Sequence, residues 1–389
     1  MKNFVFQAPT KIAFGEGQIS HLPKLLAEHG QKVLLVYGGG SVKRNGIYEA
    51  AIGLLAENKF IVTELAGVEP NPRIETVLKG RELCLENEID VILAIGGGST
   101  IDCSKAIAAA RYYDGNPWDF TQDRSLVGEA LPLVTILTMS ATGSEMNGGA
   151  VITNLATQEK LGMGGPTLIP KASILDPTYT YSVPTIQTAA GSADIMSHLI
   201  ENYFSRNTTA ALQDRIAEGI MKTVIAYTPV ALAEPTSYEA RANLMWSSSL
   251  ALNGLTGSGK EGTWTCHAIE HELSAFYDIT HGIGLAIVIP RWMEHVLNEQ
   301  TVSQFVAFAV NVFGIEATGD DFAVARAGIK ALYETFASWG IPMTLPEVGI
   351  DESKLALMAE KAIEHSAITK HGFVSLEAKD VEAILKNCF

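Results

Sequence analysis

The chain has 389 residues, 47% hydrophobic and 18% charged, a globular composition with room for about two domains and no bias toward disorder. A formal net charge of −15 and the lack of any Lys/Arg run argue against a nucleic-acid partner, so bound phosphate would rely on backbone groups and a few local cations. Cys84, Cys103, Cys266 and Cys388 form no CxxC pair, the opening "MKNFVFQAPTKIAFG" has no unbroken apolar core, and nowhere do 18 apolar residues run together; a soluble cytoplasmic protein is expected.

Short β-branched runs alternate with helical stretches up to about residue 180. "KVLLVYGGG" (32–40) and "FIVTEL" (60–65) read as strands, Ile74 to Glu88 has helical spacing, and "DVILAIGGGS" (90–99) and "LPLVTILT" (131–138) supply further buried strands. This alternation predicts an α/β domain over 1–183, a parallel Rossmann-like sheet with helices on both faces. Beyond Pro184 the windows 185–205, 208–231, 237–255, 260–277, 300–315, 320–338 and 352–366 carry apolar residues at helical spacing, so 184–389 is expected to be all-helical. Ligand pockets favour domain junctions, and a cleft there is the natural expectation.

Two glycine clusters sit where a strand ends and a helix should begin. Missing Cβ atoms there let backbone N–H groups approach a phosphate, and a helix N-terminus adds partial positive charge. Neither is a full GxGxxG, since Lys43 and Ile101 occupy the third glycine positions. In "YGGGSVKRNG" no Asp or Glu is present to meet an adenosine ribose, and Lys43 and Arg44 follow, which leans toward NADP(H) over NAD(H). The alternative is that both cations form an ordinary solvated helix start.

The helical half carries the metal-type residues. "AAGSADIMSHLIENYF" (189–204) places Asp194 and His198 four residues apart on one helix face, and His267 and His271 repeat the spacing. His281 precedes Gly282 and Gly284 in "THGIGLAIVIP", read as a helix break beside an apolar run. Carboxylate and imidazole together suit Fe(II) or Zn(II), and five candidates exceed a four-ligand set, leaving one for proton chemistry. Cys266, beside His267, would point about 100° away on a helix and reads as core or as a support behind the ligands.

Four segments, "GGGSTIDCSKA" (96–106), "TMSATGSEMNGGAVI" (138–152), "SILDPTYTYSVPTIQTAAGSADIMSHLIE" (173–201) and "HAIEHELSAFYDITHGIGLA" (267–286), resemble the iron-containing, group III alcohol dehydrogenase family, in particular its butanol-dehydrogenase-like, NADPH-dependent aldehyde reductase branch. The resemblance runs over essentially the whole chain. It implies the dehydroquinate-synthase-like architecture, one divalent metal on Asp194, His198, His267 and His281, and His271 beside the site but off the ion. It also implies that Gly97, Gly98, Ser99 and Asp102 line the pyrophosphate and nicotinamide side of the cofactor, helped by Thr138, Thr142, Asn147 and Lys160. Gly38, Gly39, Gly40 and Ser41 would sit by the adenosine ribose, where NAD-using relatives often carry an Asp that this chain lacks.

The reaction so implied is hydride transfer between NADP(H) and a short-chain primary alcohol or aldehyde such as butanol or butanal, with His271 delivering the proton directly or through water. Trp264, Phe276, Tyr277, Ile279 and Leu199 suggest an apolar pocket. A glycerol-type NAD-dependent dehydrogenase is the alternative within the class. A dehydroquinate-synthase-like lyase would need several basic residues around the metal, and the neighbouring stretches offer few apart from Lys260 and Arg291. The family also implies a homodimer, with the N-terminal "FVFQAPTKIAFG" strands as a candidate interface.

Overall fold

The computed structural model describes residues 1–262 and 264–389. The described residues form eight strands: β1 (Lys11–Phe14), β2 (Lys32–Tyr37), β3 (Ile61–Ala66), β4 (Val91–Gly96), β5 (Leu133–Leu137), β6 (Gly149–Asn154), β7 (Glu159–Gly164) and β8 (Ala172–Leu175). Between them run α1 (Leu22–Ala27), α2 (Ser41–Arg44), α3 (Ile47–Glu57), α4 (Ile74–Glu86), α5 (Gly98–Ala110) and α6 (Asp119–Gln122). The remainder is helical: α7 (Thr185–Tyr203), α8 (Ala211–Ala233), α9 (Tyr238–Leu252), α10 (Thr265–Tyr277), α11 (His281–Val296), α12 (Val302–Phe313), α13 (Asp321–Ser338), α14 (Leu355–Glu364), α15 (Ile368–His371) and α16 (Ala378–Lys386).

Residues 7–183 and 235–249 form one compact unit; residues 1–6, 184–234 and 250–389 form the other. A division into 1–183 and 184–389 thus differs in two segments, each for a packing reason. Met245 on α9 is buried in the α/β core and Ser249 donates to the buried Glu145, while the Lys2 N–H donates to Gly259 O at 2.9 Å.

In the α/β unit six parallel strands lie in the order β1-β8-β5-β4-β2-β3. Strand periodicity of two sorts their side chains onto two faces. Val33, Leu35, Tyr37, Val91, Leu93, Ile95, Val134 and Ile136 join one core, which α1 and α3 cover with Leu22, Leu25, Leu26, Ile47, Ala51 and Leu55. Leu34, Val36, Ile92 and Ala94 join the other, covered by Ile74, Val77 and Cys84 of α4 and by Ile101 and Ile107 of α5. Burial on both faces is why β2 and β4 read as unbroken apolar runs rather than alternating ones. β6 and β7 form a separate antiparallel hairpin with Thr153 opposite Lys160.

Strand order reverses about β2, which has β3 on one side and β4 on the other. Open α/β sheets bind ligands at such a switch point, outside the carboxyl ends of the strands. The Gly38–Gly40 turn ends β2 and the Gly97–Gly98 turn ends β4, so both border that crevice.

In the helical unit α7 is buried from Thr188 to Tyr203, with α8, α10 and α11 packed against it. α8 has the length and apolarity of a membrane span, yet it buries Gln213 and Glu218 in its packed face, as a core helix of a folded unit does. The expected break at Gly282 and Gly284 is instead the first turn of the 16-residue α11. A Cβ on Gly282 would lie 2.0 Å from Ala190 O, so the glycine is there for the close approach of α11 to α7. Gly282→Ala is therefore expected to destabilise the protein by several kcal/mol, even though alanine is the better helix former by ~1 kcal/mol. Gly219, on the exposed side of α8, has nothing within 4 Å of a built Cβ. There Gly219→Ala should raise the denaturation midpoint, by ~0.5–1 kcal/mol, and equal effects at both positions would refute the packing explanation.

Candidate functional site

Three helices of one unit deliver the metal-type side chains. α7 carries Asp194, His198 and Glu201 on one face, α10 carries His267, Glu270 and His271, and His281 opens α11. One donor atom from each of Asp194, His267 and His281 lies within 4.8 Å of the other two. His198 Nε2 stands 3.4 Å from Asp194 Oδ1 and His281 Nε2 3.9 Å from the same oxygen. The His198 and His267 rings stack with centroids 5.0 Å apart, and His267 and His281 are 5.2 Å apart.

Two buried carboxylates that sequence reasoning missed orient these rings. Glu201 accepts from His267 Nδ1, and Glu270 accepts from His281 Nδ1 and from Ser274 Oγ. Each imidazole thereby turns Nδ1 to its carboxylate, and His281 Nε2 faces Asp194. Glu201 also accepts from the backbone N–H groups of Cys266 at 2.7 Å and His267 at 3.2 Å, so it caps α10 from a different helix. The signal was in the sequence: Glu201 and Glu270 each lie three residues after a candidate histidine, on the same helix face. Glu270, His271 and His281 also converge within 4.8 Å, but Glu270 is already the acceptor for His281.

Burial, opposed by Asp194, brings His198 down to about 4, so at neutral pH its ring is uncharged and able to donate a lone pair. Burial also acts to lower His267, yet the Glu201 charge and hydrogen bond override it and raise the ring above the ordinary imidazole value. Asp194 Oδ1, His198 Nδ1 and His267 Nε2 are buried without a hydrogen bond. An unsatisfied buried polar atom costs ~1–3 kcal/mol. Of these, Asp194 and His267 belong to the set that converges with His281, a combination that fits a divalent cation bound by oxygen and nitrogen. His198 turns Nε2 rather than Nδ1 toward Asp194 and lies beside that set.

His271 lies beside this cluster, its ring centroid 5.6 Å from that of His281 and 6.3 Å from that of His267. Of the apolar residues expected around it, Trp264 is edge-on to His267 at 5.0 Å and to His198 at 6.1 Å. Leu199 is fully buried on α7, while Phe276 and Tyr277 lie under the Lys354 ammonium. Cys266 is buried, and burial pushes its thiol well above the usual range.

The nucleotide-type residues lie in the other unit. A Cβ on Gly98 would fall 2.4 Å from Thr142 Oγ1, so the glycine lets the loop after β5 close on the N-terminus of α5. That loop is tied at Thr138, whose N–H donates to Gly96 O at 3.0 Å. Asp102, one turn into α5, accepts from Ser144 Oγ at 2.5 Å and from the Val151 N–H at 2.9 Å. Ser99 Oγ donates to Pro70 O. Gly97, Gly98, Asp102, Thr138, Thr142 and Asn147 thus gather around one helix start, Gly38 to Ser41 stand at the adjoining turn, and Lys160 is buried in the β6–β7 hairpin.

Beside the first turn is a carboxylate from another strand. Glu64 on β3 accepts from Tyr37 Oη and Tyr48 Oη, each at 2.7 Å, and the Lys43 ammonium lies over the two rings at 5.0 and 4.3 Å. Burial acts to raise Glu64, but the two phenol hydrogen bonds and Lys43 outweigh it and leave the carboxyl below the ordinary value.

Residues 9–177 match the family Iron-containing alcohol dehydrogenase, and residues 188–389 match Fe-containing alcohol dehydrogenase family, C-terminal. The chain is 54% identical over 389 residues to NADH-dependent butanol dehydrogenase A of Clostridium acetobutylicum, covering 100% of both. It is 38% identical over 369 residues to the NADPH-dependent aldehyde reductase YqhD of Escherichia coli, covering 94% of each. The solved structure of an NADH-dependent butanol dehydrogenase A from Thermotoga maritima superposes with a TM-score of 0.95 at 39% identity, over 100% of this chain and 99% of that one.

Metal-ligating histidines lose ~10–100-fold in metal affinity when the partner of the second ring nitrogen is removed. Glu270→Gln is therefore expected to weaken divalent metal binding by about that factor, read as metal retained against a buffered competitor. Retention equal to that of the parent protein would mean that Glu270 braces the helices and nothing more.

Proposed function

Because the chain belongs to the iron-containing alcohol dehydrogenase family, we propose that Asp194, His198, His267 and His281 hold one divalent ion, Fe(II) or Zn(II), in an alcohol dehydrogenase that interconverts a short-chain primary alcohol and its aldehyde, with butanol and butanal as the model pair. The observation that carries this reading is the convergence of Asp194, His267 and His281, with Asp194 Oδ1 and His267 Nε2 buried without a hydrogen bond and the two rings aimed by Glu201 and Glu270. When bound, the ion supplies Lewis acidity to a substrate oxygen and the nicotinamide supplies or receives the hydride.

The chain's own contribution is position and protons. Glu201 and Glu270 keep His267 and His281 in one tautomer and one orientation, so the donor set is formed in advance. His271, one turn along α10 from His267, is the residue placed to pass a proton to the substrate oxygen in reduction and to take it back in oxidation. The cations that a lyase acting on a polyanion would need are committed elsewhere: Lys260 pairs with Asp214, and Arg291 lies over the Tyr333 ring at 4.6 Å.

Cofactor preference turns on Glu64. The sequence alone leans to NADP(H) because no carboxylate follows β2 and Lys43 does. In the fold, Glu64 brings a carboxylate to that turn from β3, and Lys43 lies over the Tyr37 and Tyr48 rings that bind it, which weakens the ground for favouring a 2′-phosphate. We accordingly read NADH as the better partner, in keeping with the printed cofactor of the 54% identical relative.

Chelator-stripped protein given Fe(II), Zn(II) or no metal, with butanal and NADH or NADPH in parallel, tests both parts. Metal-restored nucleotide oxidation, faster with NADH, is the expected result. Absence of turnover with every metal and both nucleotides sinks the reaction assignment, and NADPH well ahead of NADH sinks the role given to Glu64. General acid–base groups contribute ~10²–10⁴-fold, so His271→Asn should lower kcat at least ~100-fold with bound metal unchanged. A kcat near that of the parent assigns the proton to another route.

A further inference from the structure

The α/β unit contains a lysine with no access to solvent. Lys105, in the second turn of α5, has 0% of its surface exposed, and lysine is almost never fully buried unless paired. Its ammonium carries three protons and directs them to three acceptors: Ser144 Oγ at 2.7 Å, Asn147 Oδ1 at 3.1 Å and Gly149 O at 2.7 Å. The contacts extend outward from there. Ser144 Oγ donates to Asp102 Oδ1 at 2.5 Å, and the Val151 N–H donates to Asp102 Oδ2 at 2.9 Å. Asn147 Oδ1 also accepts from the Gly149 N–H at 2.9 Å, and its Nδ2 donates to Gly143 O at 2.9 Å.

The arrangement has a front and a back. Asp102 and Asn147 are half-buried beside the Gly97–Gly98 turn, whereas Lys105 and Ser144 are buried behind them. Burial lowers Lys105 to about 8, opposed by Asp102 and Glu145, so the position works against the charge it holds. An apolar side chain would fill this space at a lower desolvation cost, but it would remove the ammonium donor from the Ser144 hydroxyl and the Gly149 carbonyl and leave Asn147 Oδ1 with the Gly149 N–H alone.

We propose that Lys105 is a positioning residue for the nicotinamide dinucleotide: by donating at once to Ser144, Asn147 and the Gly149 carbonyl it holds the Asp102 carboxylate and the Asn147 amide in the orientation in which they meet the cofactor. This rests on the reading that Asp102 and Asn147 face that cofactor. A mere staple between α5 and the 144–151 segment would account for lost stability in a Lys105 variant, but not for lost nucleotide affinity in a folded one.

The test uses the metal-loaded full chain and the variants Lys105→Met, Ser144→Ala and Asp102→Asn. It measures NADH affinity by nucleotide fluorescence, together with KM for NADH, KM for butanal, kcat and bound metal. In Lys105→Met and Ser144→Ala the NADH Kd and KM should rise tenfold or more, with KM for butanal and metal content within twofold of the parent. NADH affinity within twofold in either folded variant, alongside a tenfold loss in Asp102→Asn, overturns the role of Lys105 and leaves the cofactor reading standing. Unchanged affinity in Asp102→Asn instead removes the cofactor reading, and this inference with it. If Lys105→Met does not fold, Ser144→Ala, which deletes one hydroxyl, decides the matter.

Discussion

The candidate metal centre depends on one buried carboxylate. Glu201, with 0% exposure, takes backbone N–H groups from the first turn of α10 and the Nδ1 proton of His267. The first turn of a helix presents unpaired donors and partial positive charge, which explains how an anion can sit there without solvent. Because Glu201 belongs to α7, the contact sets where α10 begins relative to Asp194 and His198. The ring that shares this carboxylate is aimed at the same time. Removing Glu201 would free the start of α10, the tautomer of His267 and a buried positive potential together, so its effects on fold and site cannot be separated from one another.

Close backbone approach is the second constraint, and it acts in both units. α11 can reach α7 because Gly282 has no Cβ to meet Ala190 O, and that approach sets His281 Nε2 3.9 Å from Asp194 Oδ1. In the α/β unit Gly98 lets the loop after β5 close on the start of α5, which brings Asn147 and Asp102 to one edge. In each case the glycine matters less for its own backbone freedom than for the polar groups it allows to converge. A larger residue would move a helix or loop, and the donor and acceptor distances would go with it.

Some of this was legible in the sequence, and the failures have physical causes. β2, β4 and β5 announce themselves because both of their faces are buried, leaving no charged residue inside the run. The β6–β7 hairpin was missed because "GAVITN" and "EKLGMG" break their apolar residues with glycine and polar groups and lie outside the six-stranded sheet. α11 was misread because two glycines in a first turn resemble a break when the partner helix is not in view. That Asp194 shares a helix face with His198, and His267 with His271, could be anticipated, since four-residue spacing is a local property of a helix; the choice of His281 over His271 as a ligand rested on the family resemblance. Glu64 could not, because its relation to Tyr37, 27 residues away, exists only through the pairing of β2 with β3.

The same asymmetry runs through Glu201, Glu270 and Lys105. None carries a recognisable motif, all three have 0% exposure, and each touches a residue to which a site role is assigned. A buried charge stabilises a fold poorly, since desolvation offsets most of what its partner restores. What it does well is leave the partner a single low-energy orientation, because any other strands the charge. A site that must present groups in one geometry before its ligand arrives gains from that exclusion. Spacing along a helix can place Glu201 and Glu270 beside candidate histidines, but which ring each one holds, and that Lys105 holds Ser144 and Asn147, is decided by three-dimensional packing and appears only once the helices are in place.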